Sequence, residues 1–175
     1  SKKAINSVGD LKGLKFRAYN SATIRIAELT GMAPTKIEAA EISQAFSTGA
    51  VESMITSPTT GKNSKIWENG VGYFYDIAAW FPKNMVIVNK DAWNKLDSAT
   101  KKLVMSEAAV AEKKGWELSK KGNVADKKAL TDAGMKVGKV NSALEKHFQK
   151  VGATMADEWK AKAGSRGASV LAAYK

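Results

Sequence analysis

From Leu14 to Thr56 short apolar runs alternate with amphipathic ones, and the spacing constrains the fold more than any other feature of the chain. Leu14 to Ala18 predicts a strand, and Ser21 to Thr30 a helix capped by Asn20 or Ser21 and closed by Gly31. A second strand over Pro34 to Ala39, a short helix over Glu41 to Ser47 and a third strand over Val51 to Thr56 complete a βαβαβ pattern. Parallel strands need a crossover between them, so the pattern predicts an α/β fold with a parallel-rich sheet flanked by helices. Arg17 stands where the first strand gives way to a helix. That is the carboxyl edge of the sheet, where open α/β folds bind ligands, and a guanidinium there suits an organic anion because it can hold a carboxylate through two parallel hydrogen bonds.

Composition narrows the chemistry. With 175 residues the chain can bury one good core, or one core plus parts that belong to another lobe. The absence of cysteine excludes disulfides, thiolate metal sites and cysteine nucleophiles, and His147 is the single histidine on which zinc or triad chemistry would have to rest. No apolar run has the length of a membrane span, and the first residues lack a signal-peptide pattern, so for an exported protein the signal is expected upstream. The net charge is +11, concentrated in Lys101-Lys102, Lys113-Lys114, Lys120-Lys121 and Lys127-Lys128. These pairs are interrupted by Glu107, Glu112, Glu117 and Asp126 and lack an aromatic platform, which favours a solvated helix face over a nucleic-acid footprint.

Beyond the third strand, Ser57-Pro58-Thr59-Thr60-Gly61 reads as an interruption, with a short helix expected over Asn63 to Glu68. Tyr73 to Phe81 and Met85 to Asn89 read as strands. A long helix is expected from about Ser98 to beyond Ala125, capped by Asp97 or Ser98, with Val104, Ala108, Ala111, Gly115 and Leu118 along one face. Met135 to Val140 predicts a strand, and Ser142-Ala143-Leu144-Glu145 a capping box for a last helix with Leu144, Phe148, Val151 and Met155 as its buried stripe.

Within this frame the candidate ligand-binding residues are Arg17, Thr56, Ser57, Phe74 and Trp80. Arg17 has an alternative role as a surface partner of Glu38 or Glu41. Thr56 and Ser57 end the third strand and offer hydroxyls that donate and accept, although such residues also bond their own backbone in turns. Tyr73, Phe74, Tyr75 and Trp80 supply aromatic faces for the apolar part of an organic acid; Phe74 and Trp80 are the preferred pocket members, while Trp67, Trp93, Trp116 and Trp159 read as packing. Glu38 and Glu41 lack the spacing of a catalytic acid pair, His147 reads as a surface histidine, and Gly61 and Gly70 form no phosphate loop. No catalytic residue, cofactor or metal is expected.

The ordered set Gly9 to Asn20, Gly31-Met32-Ala33-Pro34-Thr35, Glu41 to Met54 and Val86 to Leu96 resembles the carboxyl-terminal part of substrate-binding proteins of tripartite ATP-independent periplasmic (TRAP) transporters. The resemblance implies a periplasmic-binding-protein-like, class II-type lobe with long connecting and terminal helices, the amino-terminal lobe being absent from this sequence. It divides the chain into a lobe core at 1–82, a crossover strand and connecting helix at 83–140, and terminal helices at 141–175. It also implies that Arg17 clamps the substrate carboxylate, and that Thr56 or Ser57 replaces the asparagine frequent at that strand end. The expected function is capture of a small organic acid anion in the periplasm for the membrane permease subunits of a TRAP transporter. An enzyme acting on an acidic metabolite and a basic nucleic-acid-binding module are the alternatives. Self-association is expected of a fragment that has lost a lobe.

Overall fold

The computed structural model describes residues 1–79 and 84–173. Its first sheet has three parallel strands in the order β2-β1-β3, formed by β1 (Lys15–Ala18), β2 (Ala33–Lys36) and β3 (Ser53–Met54). Between them run α1 (Ser21–Thr30) and α2 (Ile42–Ser47), the latter preceded by a 3-10 turn at Ala39–Glu41. A second parallel pair joins β4 (Tyr73–Tyr75) to β5 (Lys136–Gly138). The remaining helices are α3 (Pro58–Asn63), α4 (Lys90–Asn94), α5 (Ser98–Asp132) and α6 (Ser142–Ala173). The result is the expected α/β lobe, helix-rich with parallel sheets.

Local chemistry explains the boundaries. Asn20 caps α1 by accepting from the Thr23 N–H at 2.8 Å, and Gly31 ends the helix at φ 74°, in the left-handed region that favours glycine. β1 is the central strand, and its Phe16, Arg17 and Ala18 are all buried. One core gathers Leu11, Phe16, Ala18 and Ile26 with Leu144 and Val151 of α6; a second gathers Ile42, Phe46 and Val51 with Ile66 and Leu130. The Leu144–Val151 stripe packs as its spacing predicted, with Phe148 and Met155 partly buried beside it.

Several expectations are corrected. Pro58–Asn63 is a helix and not an interruption, because Ser57 caps it and Pro58 takes the first helical position, where its missing N–H costs nothing. The helix expected over Asn63 to Glu68 is a 3-10 turn at Ile66–Asn69, set off by Lys65 at φ 42°. The second strand stops at Lys36, and β4 stops at Tyr75; Phe81 lies outside the described residues. Asn141, not Ser142, caps α6, accepting from the Leu144 N–H at 3.0 Å. Met85 to Asn89 forms no strand: a strand needs a hydrogen-bonding neighbour, and none is present among the described residues, leaving Val86 and Ile87 open to solvent. Trp116 and Trp159 are exposed rather than packed. His147 is half-buried, its Nε2 buried without a hydrogen-bond partner.

The long helix α5 extends from Ser98, capped by Asp97 accepting from the Thr100 N–H at 2.9 Å, to Asp132. Only Asp126 and Leu130 of it are buried, so the stripe from Val104 to Leu118 faces water together with the lysine pairs of its middle turns. No described helix is long and apolar enough to cross a membrane.

Candidate functional site

Arg17 occupies the third position of β1, opposite Thr35 of β2 and Met54 of β3. Its residue surface is 4% exposed, and its Nε donates to the Ile37 carbonyl at 2.9 Å. Tyr19, on the same side two residues on, lies under the guanidinium, with Cζ 4.6 Å from the ring centroid. Neither alternative partner takes it: Glu38 pairs with Lys36 at 3.5 Å, and Glu41 accepts from the Glu38 N–H at 3.1 Å. Among the described residues no carboxylate bonds Arg17, and its two terminal nitrogens donate to no protein group. Burial pulls the guanidinium's pKa below its ordinary value, while Tyr19 and Glu38 act in the other direction. A buried cation anchored through Nε and stacked on an aromatic ring, with its outer fork uncommitted, is arranged to receive an anion.

The two hydroxyls after β3 differ in commitment. Ser57 is exposed, and its Oγ accepts from the Thr60 N–H at 3.1 Å as the cap of α3. Thr56 is half-buried, and its hydroxyl has no protein partner among the described residues. Thr56 and Phe74 line one apolar cavity of about 110 Å³, shared with Phe16, Met54, Tyr75 and Phe148. Arg17 and Ser57 do not border that cavity. Phe74 is half-buried on β4 and packs against the second core. Tyr75, one of the aromatics offered by the sequence, has its hydroxyl engaged by the protein, accepting from the Ile5 N–H at 2.8 Å, and stacks on Tyr73 with centroids 6.4 Å apart. Trp80 lies outside the described residues.

Three features escaped the sequence reading. The Tyr19 platform was signalled only by its i+2 spacing from Arg17, which puts both side chains on one side of an extended segment. The Ile37 carbonyl had no signal, because a backbone acceptor carries no residue identity. Asp126 sat in a lysine-rich helix and read as surface charge, yet it is 5% exposed and accepts from Thr59 Oγ1 at 2.6 Å and Lys62 Nζ at 2.8 Å. Lys62, then Thr59, holds its carboxyl below the usual carboxylate range. Among the described residues no group of three or more acidic or histidine side chains could hold a metal ion.

A parallel α/β lobe with an uncommitted guanidinium at its strand ends has the form expected of a solute-binding protein. The profile of the family described as DctP, bacterial extracellular solute-binding protein, family 7, matches residues 1–162, and the chain belongs to that family. Three solved structures superpose on it closely. A marine metagenome TRAP solute-binding protein described as specific for pyroglutamate is 36% identical with a TM-score of 0.95. Two extracytoplasmic solute receptors of Bordetella pertussis described as binding pyroglutamic acid are 40% and 39% identical, with TM-scores of 0.95 and 0.96. Each superposition covers 99% of this chain and 57% of the other. Among curated relatives, the sialic acid-binding periplasmic protein of Vibrio cholerae is 30% identical over 107 residues, which cover 59% of this chain and 32% of that one. A solute-binding protein of Albidiferax ferrireducens is 26% identical over 153 residues, covering 86% and 45%. The chain thus spans less than half of these curated relatives. The family and these neighbours are solute-binding proteins, not enzymes.

Proposed function

We propose that this chain is part of a periplasmic receptor that captures a small organic acid anion for a TRAP-type permease, and that the anion is pyroglutamate. The observation that carries the reading is Arg17: a buried guanidinium whose Nε is fixed on Ile37 and whose outer nitrogens have no protein partner among the described residues. Three receptors at 36–40% identity are described as binding pyroglutamate, and its carboxylate suits such a fork. The rest of that ligand is a lactam, which offers an N–H and a carbonyl beside an apolar ring face. Thr56 and Phe74 are the candidates for the polar and apolar contacts; they line the apolar cavity, which Arg17 does not itself border. Ser57 is the weaker candidate of the two hydroxyls, since its own is spent on the cap of α3.

Binding of this kind gains strength when water is excluded, because charged hydrogen bonds are worth more in a low-dielectric site. No bond is made or broken, so the receptor needs no catalytic group or cofactor. Translocation falls to the permease. Calorimetry of the intact receptor with pyroglutamate tests the reading: the wild type binds, and Arg17→Ala loses about 2–5 kcal/mol of affinity while keeping its fold. Unchanged affinity in Arg17→Ala removes Arg17 from the site, and a wild type indifferent to pyroglutamate but responsive to another carboxylic acid corrects the ligand alone.

A further inference from the structure

Two adjacent residues near the end of α5, Asp126 and Lys127, hold the segments that lead out of β3 and β4, next to the candidate contacts Thr56 and Phe74. One turn beyond Asp126, Leu130 meets α3 at Gly61, where an added Cβ would stand 3.7 Å from Leu130 Cδ2 and 3.2 Å from Ile66 Cδ1. Here α3 lies close against α5. Asp126 then bonds Thr59 and Lys62 of α3 at 2.6 Å and 2.8 Å, three and six residues beyond Thr56. Lys127 Nζ donates to Asp76 Oδ2 at 2.7 Å, and Asp76, two residues beyond Phe74, also donates its N–H to the Gly138 carbonyl at 2.7 Å. Arg17 is held separately, by Ile37.

Packing alone does not account for an acid at position 126. A well-packed apolar side chain holds two helices as strongly as a buried ion pair, and often more so. What the carboxylate adds is direction: two bonds of defined geometry fix where α3 sits along α5, and with it the strand end from which α3 starts.

We propose that Asp126, seconded by Lys127, is a positioning residue of the receptor site, setting Thr56 and Phe74 relative to Arg17 by fastening the segments after β3 and β4 to one turn of α5. The inference rests on the site proposed above, but its geometric half stands without any ligand.

Asp126→Leu in the intact receptor removes both directional bonds and keeps an apolar contact with α3. In the ligand-free protein, hydrogen exchange of the backbone amides of Thr60, Gly61 and Ser64, which bond Ser57 Oγ, the Ser57 carbonyl and the Thr60 carbonyl, accelerates while that of α1 does not. With pyroglutamate, affinity falls roughly tenfold, the range of a lost hydrogen bond of about 1.4 kcal/mol. Thr56→Val costs clearly less in the Asp126→Leu background than in the wild type, because a residue acting through Thr56 gives a non-additive cycle. Asp76→Asn, which loosens only the half-exposed β4 side, costs less than about threefold. Should Asp126→Leu fail to fold, Asp126→Asn, which keeps an acceptor for Thr59, and Lys62→Met serve in its place. Unchanged exchange at these amides, or strictly additive effects of the 126 and 56 substitutions, overturns the proposal. A wild type that ignores pyroglutamate counts against the ligand alone, since the exchange measurement still decides the positioning.

Discussion

At the scale of single residues, the proposed site turns on which polar groups are already committed. Arg17 has one nitrogen bound to the protein and an outer fork that is not, so its removal strips charge from a ligand without leaving a buried carboxylate orphaned. Arg17→Lys should recover only part of the affinity, because an ammonium cannot reproduce the planar fork or the stacking on Tyr19. Titration calorimetry of both variants checks the order. The neighbouring hydroxyls separate in the opposite way. Ser57→Ala should lower stability by about 1 kcal/mol through loss of the α3 cap, with little direct effect on ligand affinity. Thr56→Val should weaken ligand binding by roughly 0.5–3 kcal/mol and leave the thermal midpoint nearly unchanged. A denaturant series alongside a ligand titration distinguishes the two residues, and the reverse pattern would exchange their roles. The carboxyl-edge arginine was legible in the sequence; the choice between Thr56 and Ser57 was not, because it depends on a helix that begins at Pro58.

At the scale of elements, α1 and α6 are tied by Arg25, whose Nε donates to Glu158 at 3.0 Å while Nη1 bonds Glu28 at 2.9 Å. The hydrogen bond from Arg25 holds the Glu158 carboxyl below its ordinary pKa of 4.5. A carboxyl depressed on folding contributes stability above its unfolded pKa, and the contribution disappears as pH falls through the lower folded value. Glu158→Gln should therefore lower the thermal midpoint at neutral pH, and the gap to the wild type should close on acidification below about pH 4. A gap that persists at pH 2 would show that packing rather than charge is lost. The stripe on α6 was readable from its 3.6-residue period, whereas Glu158 was not, since its partner lies 133 residues away.

At the scale of the whole molecule, the exposed apolar surface is the dominant feature. Met85, Val86, Ile87 and Val88 are 72%, 105%, 85% and 59% exposed, and Leu103, Met105, Trp116 and Leu118 add an unpartnered stretch of α5. An extended apolar run with unpaired backbone is a template for pairing with another chain. The 175-residue chain alone should therefore self-associate as its concentration rises, and Val86→Lys with Ile87→Lys should shift it toward monomer in light scattering. It spans 57% of the receptors it superposes on, and a cleft closed from one side only excludes less water from a bound anion, so its affinity for pyroglutamate should be far below that of the intact receptor. A monomeric 175-residue chain that matches the intact receptor in affinity would overturn both expectations.

What the sequence determined by itself was periodic or punctuated. The alternation of strands and helices, the caps at Asn20 and Asp97, the glycine stop at Gly31 and the buried face of α6 are local, because backbone hydrogen bonding and side-chain direction act over a few residues. Arg17 at the edge of the sheet belongs with them, since a strand end is itself a local signal. Only the tertiary structure decided which charges are satisfied: that Glu38 and Glu41 are engaged by groups other than Arg17, that Asp126 is buried beneath α3, and that Met85 to Asn89 has nothing to pair with among the described residues. Each of these depends on contacts between segments far apart in the chain, and a side chain's partners across such distances are set by packing, which no local pattern of residues encodes.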